Sequence, residues 1–288
     1  MSLHWRTIVD AQLRNLVLEA TDSLYNIQYS RLNINPFSGN ATIKDFRFKP
    51  DTLIYKKLER ERNAPDNLYD LAIENIRIEN VGLKAIYYER KLNMESITLS
   101  SPNLLITNTE HLHKNRQTDP SALYSVISNV LKEIRIDKIK GEGINVTLLN
   151  KNRKVNTTFR NMDMIVTDWL LDSFSGKDKM RIYNSRDIQL SLDMHRIATA
   201  DSLYYLTFKK LSFSTADRNL KVNKIDLTPR YPVRQFYKKI GFARYRYTID
   251  GEQVTMRGID VDRFIKDQKL YVGAVDIGKA ELSVYYNN

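Results

Sequence analysis

The chain has 288 residues, 42% of them hydrophobic, enough to bury a core in one large or two ordinary domains and so to exclude a disordered tail or a collagen-like fibre. Lysine and arginine number 45 against 34 aspartates and glutamates, a balance of +11 that suits an anionic partner such as nucleic acid or a lipid headgroup. The absence of cysteine excludes disulfides and thiolate zinc sites, no run of about 18 apolar residues offers a membrane-spanning helix, and ten glycines with seven prolines predict long elements with few tight turns.

Met1-Ser2-Leu3 abuts a helical pattern, which suggests that a preceding stretch has been trimmed. From Trp5 to Ala20 the apolar residues Val9, Leu13, Leu16, Val17 and Ala20 fall on one helical face. Strands follow, and then Asp51 caps a short helix that runs to Arg62 and is stopped by Pro65. Asp119-Pro120 starts another helix, carrying Leu123, Val126, Ile127, Val130 and Leu131. In the middle segment Ile134, Ile136 and Ile139, then Ile144 and Val146, then Met162, Met164 and Val166 alternate as strands; Gly141 and Gly143 form the expected turn, and Asp172 to Asp178 the expected mobile loop. Pro232 opens a helix with Val233, Phe236, Tyr237 and Ile240 inward, and Asp260 caps a last one carrying Phe264 and Ile265.

The strands share an irregular period. Two apolar residues in alternation are followed by a three-residue step and a second alternating pair, as in Ala41, Ile43, Phe46, Phe48 and in Leu71, Ile73, Ile76, Ile78. The same pattern occurs at Ile27–Ile34, Leu92–Leu99, Leu206–Phe213, Leu220–Leu227 and Leu270–Ile277. A three-residue step sends the second pair to the opposite face unless the strand absorbs an extra residue as a bulge, so either a bulge or a face-crossing strand is expected.

Residues 22–50 match 201–229 at a fixed shift, with Asp22-Ser23-Leu24-Tyr25 answering Asp201-Ser202-Leu203-Tyr204 and Pro50 answering Pro229. One residue less aligns Ile76 and Ile78 with Val254 and Met256, and Leu104 and Ile106 with Leu282 and Val284. The chain therefore reads as an internal duplication of about 85 residues. The expected fold is α+β and mostly β, with long bulged antiparallel strands in a bent sheet and a few short amphipathic helices. Its expected layout is an N-terminal helix (1–20), β repeat one (21–110), a middle segment (111–200) and β repeat two (201–288), together one continuous elongated domain.

No catalytic or cofactor motif is present: no glycine-rich nucleotide loop, no H-E-x-x-H, no G-x-S-x-G and no EF-hand loop. His111 and His113 share one side of a strand but lack a third ligand, so an exposed polar loop is the better reading. Asp260 and Asp262 resemble a carboxylate pair, but Asp260 is required as a helix cap. The reading is a protein without enzymatic activity or cofactor. The strongest local charge feature is Arg230, Arg234, Lys238, Lys239, Arg244 and Arg246, without an acidic residue and interleaved with Tyr231, Phe236, Tyr237, Phe242, Tyr245 and Tyr247. It reads either as the solvated face of an amphipathic helix or as a membrane surface, with nucleic acid the weakest alternative.

The segments Thr21 to Tyr25, Gly39 to Ile43, Pro50-Asp51-Thr52 and Leu71 to Ile106, with Leu92-Asn93-Met94-Glu95-Ser96-Ile97 and Ser101-Pro102, resemble the N-terminal periplasmic region of AsmA-like proteins of Bacteroidetes. That resemblance implies a periplasmic protein held to the inner membrane by an N-terminal helix that this chain lacks, with β segments similar to those of bridge-like lipid-transfer proteins. Its implied role is lipid transport or outer-membrane biogenesis through an apolar β-groove, with phospholipid or a membrane surface, and envelope proteins, as partners. Ile76, Ile78, Val254 and Met256 are then the lipid-facing candidates. The alternative is a periplasmic scaffold whose sheet interior is filled by its own side chains.

Overall fold

In the computed structural model, which describes residues 2–109, 124–125, 127–240, 245–267 and 269–286, the protein is mostly β, with 55% of residues in strands and 18% in helices. The sheet structure is mixed and bent. Contacts divide the chain into two compact units, Met1–Asp187 and Ile188–Asn288.

The first unit contains α1 (Ser2–Ala20), β1 (Tyr25–Gln28), β2 (Arg31–Asn35), β3 (Asn40–Pro50), α2 (Thr52–Arg60), β4 (Asn67–Glu79), α3 (Leu83–Glu89), β5 (Lys91–Ser100), β6 (Asn103–Asn108), β7 (Glu133–Leu149) and β8 (Val155–Leu171). β1 and β2 pair in succession with β3, β3 pairs with β4, β4 with both β5 and β6, and β7 follows, with β8 beyond it. Most neighbours are antiparallel, as expected. The exception is β7, which runs parallel to β5 and then to β6.

The second unit contains β9 (Asp187–Ala198), β10 (Tyr204–Ser214), β11 (Asn219–Pro229), α4 (Val233–Ile240), β12 (Tyr245–Gly251), β13 (Val254–Arg257), α5 (Val261–Asp267), β14 (Ala274–Ile277) and β15 (Ala280–Tyr286). Its neighbours run β9–β10–β11, after which β12 with β15 and β13 with β14 complete the sheet, all antiparallel. The unit boundary precedes the start of repeat two because β9, which lies in the middle segment by sequence, pairs along nearly the whole of β10.

The duplication is present in the pairing register. Ile43 faces Ile76, which faces Leu99; the equivalent Val222 faces Val254, which faces Ile277. Leu71 faces Leu104 as Ile249 faces Leu282. Even a loop bond repeats: Val81 N donates to Gly39 O and Ile259 N to Arg218 O, both at 2.9 Å. α3 and α5 are equivalent helices as well. Only α5 is announced by its sequence, because Asp260 Oδ1 accepts from Arg263 N at 3.0 Å whereas α3 begins at Gly82 with no side-chain cap.

At the three-residue step the strands neither insert a bulge residue nor send the second apolar pair to the other face. Lys44 pairs with Asn75 and Phe46 with Ile73, leaving Asp45 and Glu74 outside the ladder without a change of register. Asp45 (φ 54°) in the β3 step and Lys210 (φ 51°) in the β10 step are left-handed. The ladder is interrupted there on both strands, and Ile73 and Ile76 lie in one buried cluster with Leu32 and Ile43, with Phe46 packed on the same side.

Three further expectations are corrected. Gly141 and Gly143 do not form a turn: both lie inside the 17-residue β7, where its pairing with β8 shifts register between Gly141 and Ile144, Gly143 is at φ 65°, and the parallel partner changes from β5 to β6. Gly141 leaves room that a Cβ would lose, because that atom would stand 2.6 Å from Ile144 Cδ1. The Asp172 to Asp178 segment is a pinned turn, with Asp172 Oδ1 accepting from Phe174 N and Ser175 N and with Ser175 buried. Leu270 and Val272 precede β14 in irregular chain, so that copy of the pattern yields a strand only over Ala274–Ile277. The helix expected after Asp119 lies largely outside the described residues, although Ile127 is buried. α1 and α2 occupy their expected places, and Asp51 Oδ1 caps α2 by accepting from Leu53 N and Ile54 N.

Candidate functional site

Residues in direct register on neighbouring strands share a face, so the pairing turns the alternation of single strands into rows that cross each sheet. In the first unit one row is Leu32, Ile43, Ile76, Leu99, Gly141 and Met164. The next row on the same face is Ile34, Ala41, Ile78, Ile97, Ile139 and Val166. Between them, on the other face, lie Thr42, Arg77, Thr98 and Lys140. One face is therefore apolar and the other polar.

The second unit repeats this arrangement. Leu192, Leu211, Val222, Val254 and Ile277 form one row, and Ile197, Leu206, Leu227, Ile249 and Leu282 another. Burial falls steeply across the first: Val222 is 5% exposed, Val254 is half-buried and Ile277 is 70% exposed. Leu282 is 60% exposed at the end of the second. Burying such a side chain fully is worth about 1.5–3 kcal/mol, so an apolar layer laid over this end of the face gains several kcal/mol.

Of the four lipid-facing candidates, Ile76 is 8% exposed within the cluster of Leu32, Ile43 and Ile73, while Ile78, Val254 and Met256 are half-buried. The side chains packed around that cluster, among them Tyr29, Phe46, Leu71, Ile97 and Leu99, all come from strands or the link between β1 and β2. Among the described residues, then, this cluster is made by one sheet face folding upon its own side chains. Sequence reasoning missed Val275, Ile277, Leu282 and Val284, the most exposed part of the apolar face. Their signal was the match of Leu282 and Val284 to Leu104 and Ile106.

α4 closes one end of the apolar face in the second unit. Its Phe236 is fully buried against Leu203 and Tyr204, with Leu227, Tyr231, Tyr237, Ile240 and Tyr247 around them. This places the six basic candidates in three groups. Arg234, Lys238 and Lys239 are exposed on α4 and meet no carboxylate among the described residues; Lys239 Nζ lies 4.7 Å from the centre of the Tyr231 ring. Arg230 and Arg246 are half-buried instead: the Arg230 guanidinium lies 4.8 Å above Tyr205 and that of Arg246 5.8 Å above Phe236. Arg246 thus ties α4 to β12, while Arg230 packs on β10 and donates to Ser202 O at 3.2 Å. Arg244 lies outside the described residues. Beside α4 stand Tyr245, Tyr285 and Tyr286, all exposed, and Tyr237 Oη donates to Tyr285 O at 3.1 Å.

The remaining charge clusters brace the fold. Asp168 (φ 47°) pairs with Arg135 and Arg181 at 2.7 Å each and with Arg186 at 3.7 Å. Burial pushes the Asp168 carboxyl up, but hydrogen bonds from Arg135 and Arg181 outweigh it and hold the group below its ordinary range. At the first edge of the sheet Arg14, paired with Asp10 at 3.1 Å, donates to Ile27 O at 2.7 Å, and the Tyr29 hydroxyl also bonds Asp10. Burial, then the bond to Asp10, pushes the Tyr29 phenol up to about 12.

Among the described residues no three histidine, aspartate or glutamate side chains gather as metal ligands, and no helix is long and apolar enough to cross a membrane. His111 and His113 lie outside the described residues. Asp260 caps α5, as expected, and pairs with Arg263 at 3.4 Å. No protein-family model matches the chain, and no curated protein matches it.

Proposed function

We propose that this protein is a non-enzymatic envelope module that carries acyl chains along the apolar face of its sheet, with anionic headgroups at the basic, tyrosine-rich end. The observation that carries this reading is the continuity of the rows in the second unit. They run unbroken from buried Leu192 and Val222 to exposed Ile277 and Leu282, and the face ends at α4 beside Arg234, Lys238 and Lys239. Each exposed cation near an anionic leaflet adds about 1 kcal/mol of attraction, and tyrosines suit the headgroup level. The resemblance of residues 21–106 to AsmA-like proteins supports a periplasmic setting at the inner membrane and a part in lipid transport or outer-membrane biogenesis.

The buried cluster of Leu32, Ile43, Ile73 and Ile76 favours a second reading for the first unit, a scaffold whose sheet face is filled by its own side chains. Mass spectrometry of protein extracted gently from membranes separates the two. The lipid reading expects co-purified phospholipid and photo-crosslinks from a diazirine-bearing acyl chain to β13–β15. It further expects that Val254→Asp with Met256→Asp removes the lipid while the unfolding midpoint holds. Absence of both lipid and crosslinks sinks it.

A further inference from the structure

In the first unit, four chain segments stand side by side at one set of strand ends. The β2–β3 turn (36–39) is tied to the start of α3 by the bond from Val81 N to Gly39 O at 2.9 Å. The end of α3 is tied to residues 128–132, because Lys132 N donates to Arg90 O at 2.7 Å and the Arg90 guanidinium donates to the carbonyls of Ser128 and Val130 at 3.0 Å each. Residues 128–132 lead into β7, whose Ile134 faces Leu171 at the end of β8, where the segment 172–186 begins.

Large apolar side chains project from these segments. Phe37 is 100% exposed, and Tyr87, Tyr88, Phe174, Met180 and Tyr183 lie between 69% and 82%. Single exposed apolar residues are ordinary on a protein surface, whereas six on adjoining loops mark a contact surface. Hydrogen bonds fix the backbone beneath three of them: Asn35 Oδ1 accepts from Phe37 N at 3.0 Å, Asp172 Oδ1 from Phe174 N at 2.8 Å and Asp178 Oδ1 from Met180 N at 2.9 Å.

The charge offered to solvent around these side chains is mainly positive. Lys84, Lys132, Lys177 and Lys179 are exposed and meet no carboxylate among the described residues. Of the three carboxylates in the same segments, Asp172 is that backbone acceptor, Asp178 pairs with Arg181 at 3.5 Å and Arg186 at 3.1 Å, and Glu89 alone is exposed. The opposite strand ends differ, since around α2 an exposed Leu53 is followed by Lys56, Lys57, Glu59, Arg60 and Glu61, charges of both signs.

We propose that this end of the first unit docks on the surface of an anionic lipid bilayer, with Phe37, Tyr87, Tyr88 and Phe174 entering the headgroup layer and the four lysines lying at lipid phosphates. The apolar side chains stand on separate loops and form no continuous groove. A fluid bilayer lets each find its own depth, while a fixed protein surface would have to match them loop by loop. Tyrosine beside unpaired lysine also suits a layer that is apolar below and negative above. No residue is shared with the acyl-chain path of the second unit or with α4, so the inference is independent of that reading.

The test is co-sedimentation of the full chain with vesicles of phosphatidylcholine alone and of phosphatidylcholine mixed with phosphatidylglycerol. Binding to the mixed vesicles should be stronger by about tenfold or more. The combined variant Phe37→Ser, Tyr87→Ser, Tyr88→Ser, Phe174→Ser should keep its unfolding midpoint, because all four residues are exposed, and bind about tenfold more weakly. Because the chain has no cysteine, Ser38→Cys and, at the other strand ends, Asn152→Cys each accept one fluorescent label. The label at position 38 should shift to shorter emission wavelength on mixed vesicles and be quenched by spin-labelled lipid, while the label at 152 stays as in buffer. The proposal is overturned if the parent chain does not bind mixed vesicles, if it shows no preference for them, if the fourfold variant binds equally, or if position 152 responds in place of 38. It is overturned as well if Lys238→Ser with Lys239→Ser abolishes binding while the fourfold variant binds normally, an outcome that assigns the membrane contact to α4. Co-purified phospholipid reports on the second unit separately, so either reading can fail alone.

Discussion

The hydroxyl of Tyr204 accepts a hydrogen bond from the backbone N–H of Tyr247 at 3.2 Å, and in the other unit Tyr25 accepts from Tyr69 N at 3.1 Å. Continuing the β11–β12 register past Leu227 and Ile249 would bring Pro229 opposite Tyr247, and Pro50 stands in the same relation to Tyr69. The ladder stops short of both prolines, so the N–H of Tyr247 and of Tyr69 has no ladder partner there, and a tyrosine hydroxyl from the strand beyond accepts from it in both copies. Tyr204→Phe leaves the Tyr247 N–H unpaired and should cost about 1–3 kcal/mol, as should Tyr25→Phe in the first unit. Urea unfolding followed separately in the two units checks this; unchanged midpoints would show that water replaces the hydroxyl.

Truncations should divide the apolar rows by depth. Ile73, 4% exposed within the buried cluster, is expected to cost about 2–5 kcal/mol on replacement by alanine. Ile277→Ala removes the same kind of side chain from an exposed position and should stay within about 0.5 kcal/mol. Denaturation midpoints of the two variants are the measurement, and a large loss at Ile277 would show that something in the protein covers that position.

The two predicted helix caps are equivalent tests of local structure. Asp51→Ala removes the acceptor for Leu53 N and Ile54 N, and Asp260→Ala the acceptor for Arg263 N. Each should cost about 1 kcal/mol by thermal or urea unfolding, with asparagine at either position restoring most of it.

Asp168 gives an acid-side prediction. Its folded pKa lies below the ordinary 3.8, so its contribution to stability is complete above that value and is lost as pH falls below about 4 and the carboxylate takes up a proton. Asp168→Asn should lower stability at pH 7 and flatten its dependence on acid between about pH 5 and 2. Parallel pH profiles for the two proteins, differing only by a constant offset, would remove Asp168 from the account.

Much of the fold was legible because its signals are local. The helix caps at Asp51 and Asp260, the helix opened by Pro232 and the alternating strands follow from side chains that act on their own backbone. The duplication was legible too, since a register kept in two copies leaves matching residues such as Tyr25 and Tyr204 or Ile76 and Val254. The candidate face was legible only in part. A strand pattern tells which residues share a side, but the exposure of Ile277 and the burial of Ile76 depend on what lies beside each strand.

By itself, then, the sequence determined the strand periodicity, the repeat and the basic, aromatic stretch around α4. Only the tertiary structure decided that the three-residue step leaves both apolar pairs on one face, because the unshifted pairing and the left-handed backbone at Asp45 and Lys210 show up only when the ladder is drawn. It also decided that Gly141 and Gly143 lie within a strand, at the point where β7 passes from β5 to β6 and shifts register against β8. Finally it separated Arg230 and Arg246, packed over aromatic rings, from Arg234, Lys238 and Lys239, which remain exposed. Charge is written in the chain, but whether it meets a ring or solvent depends on packing between distant segments.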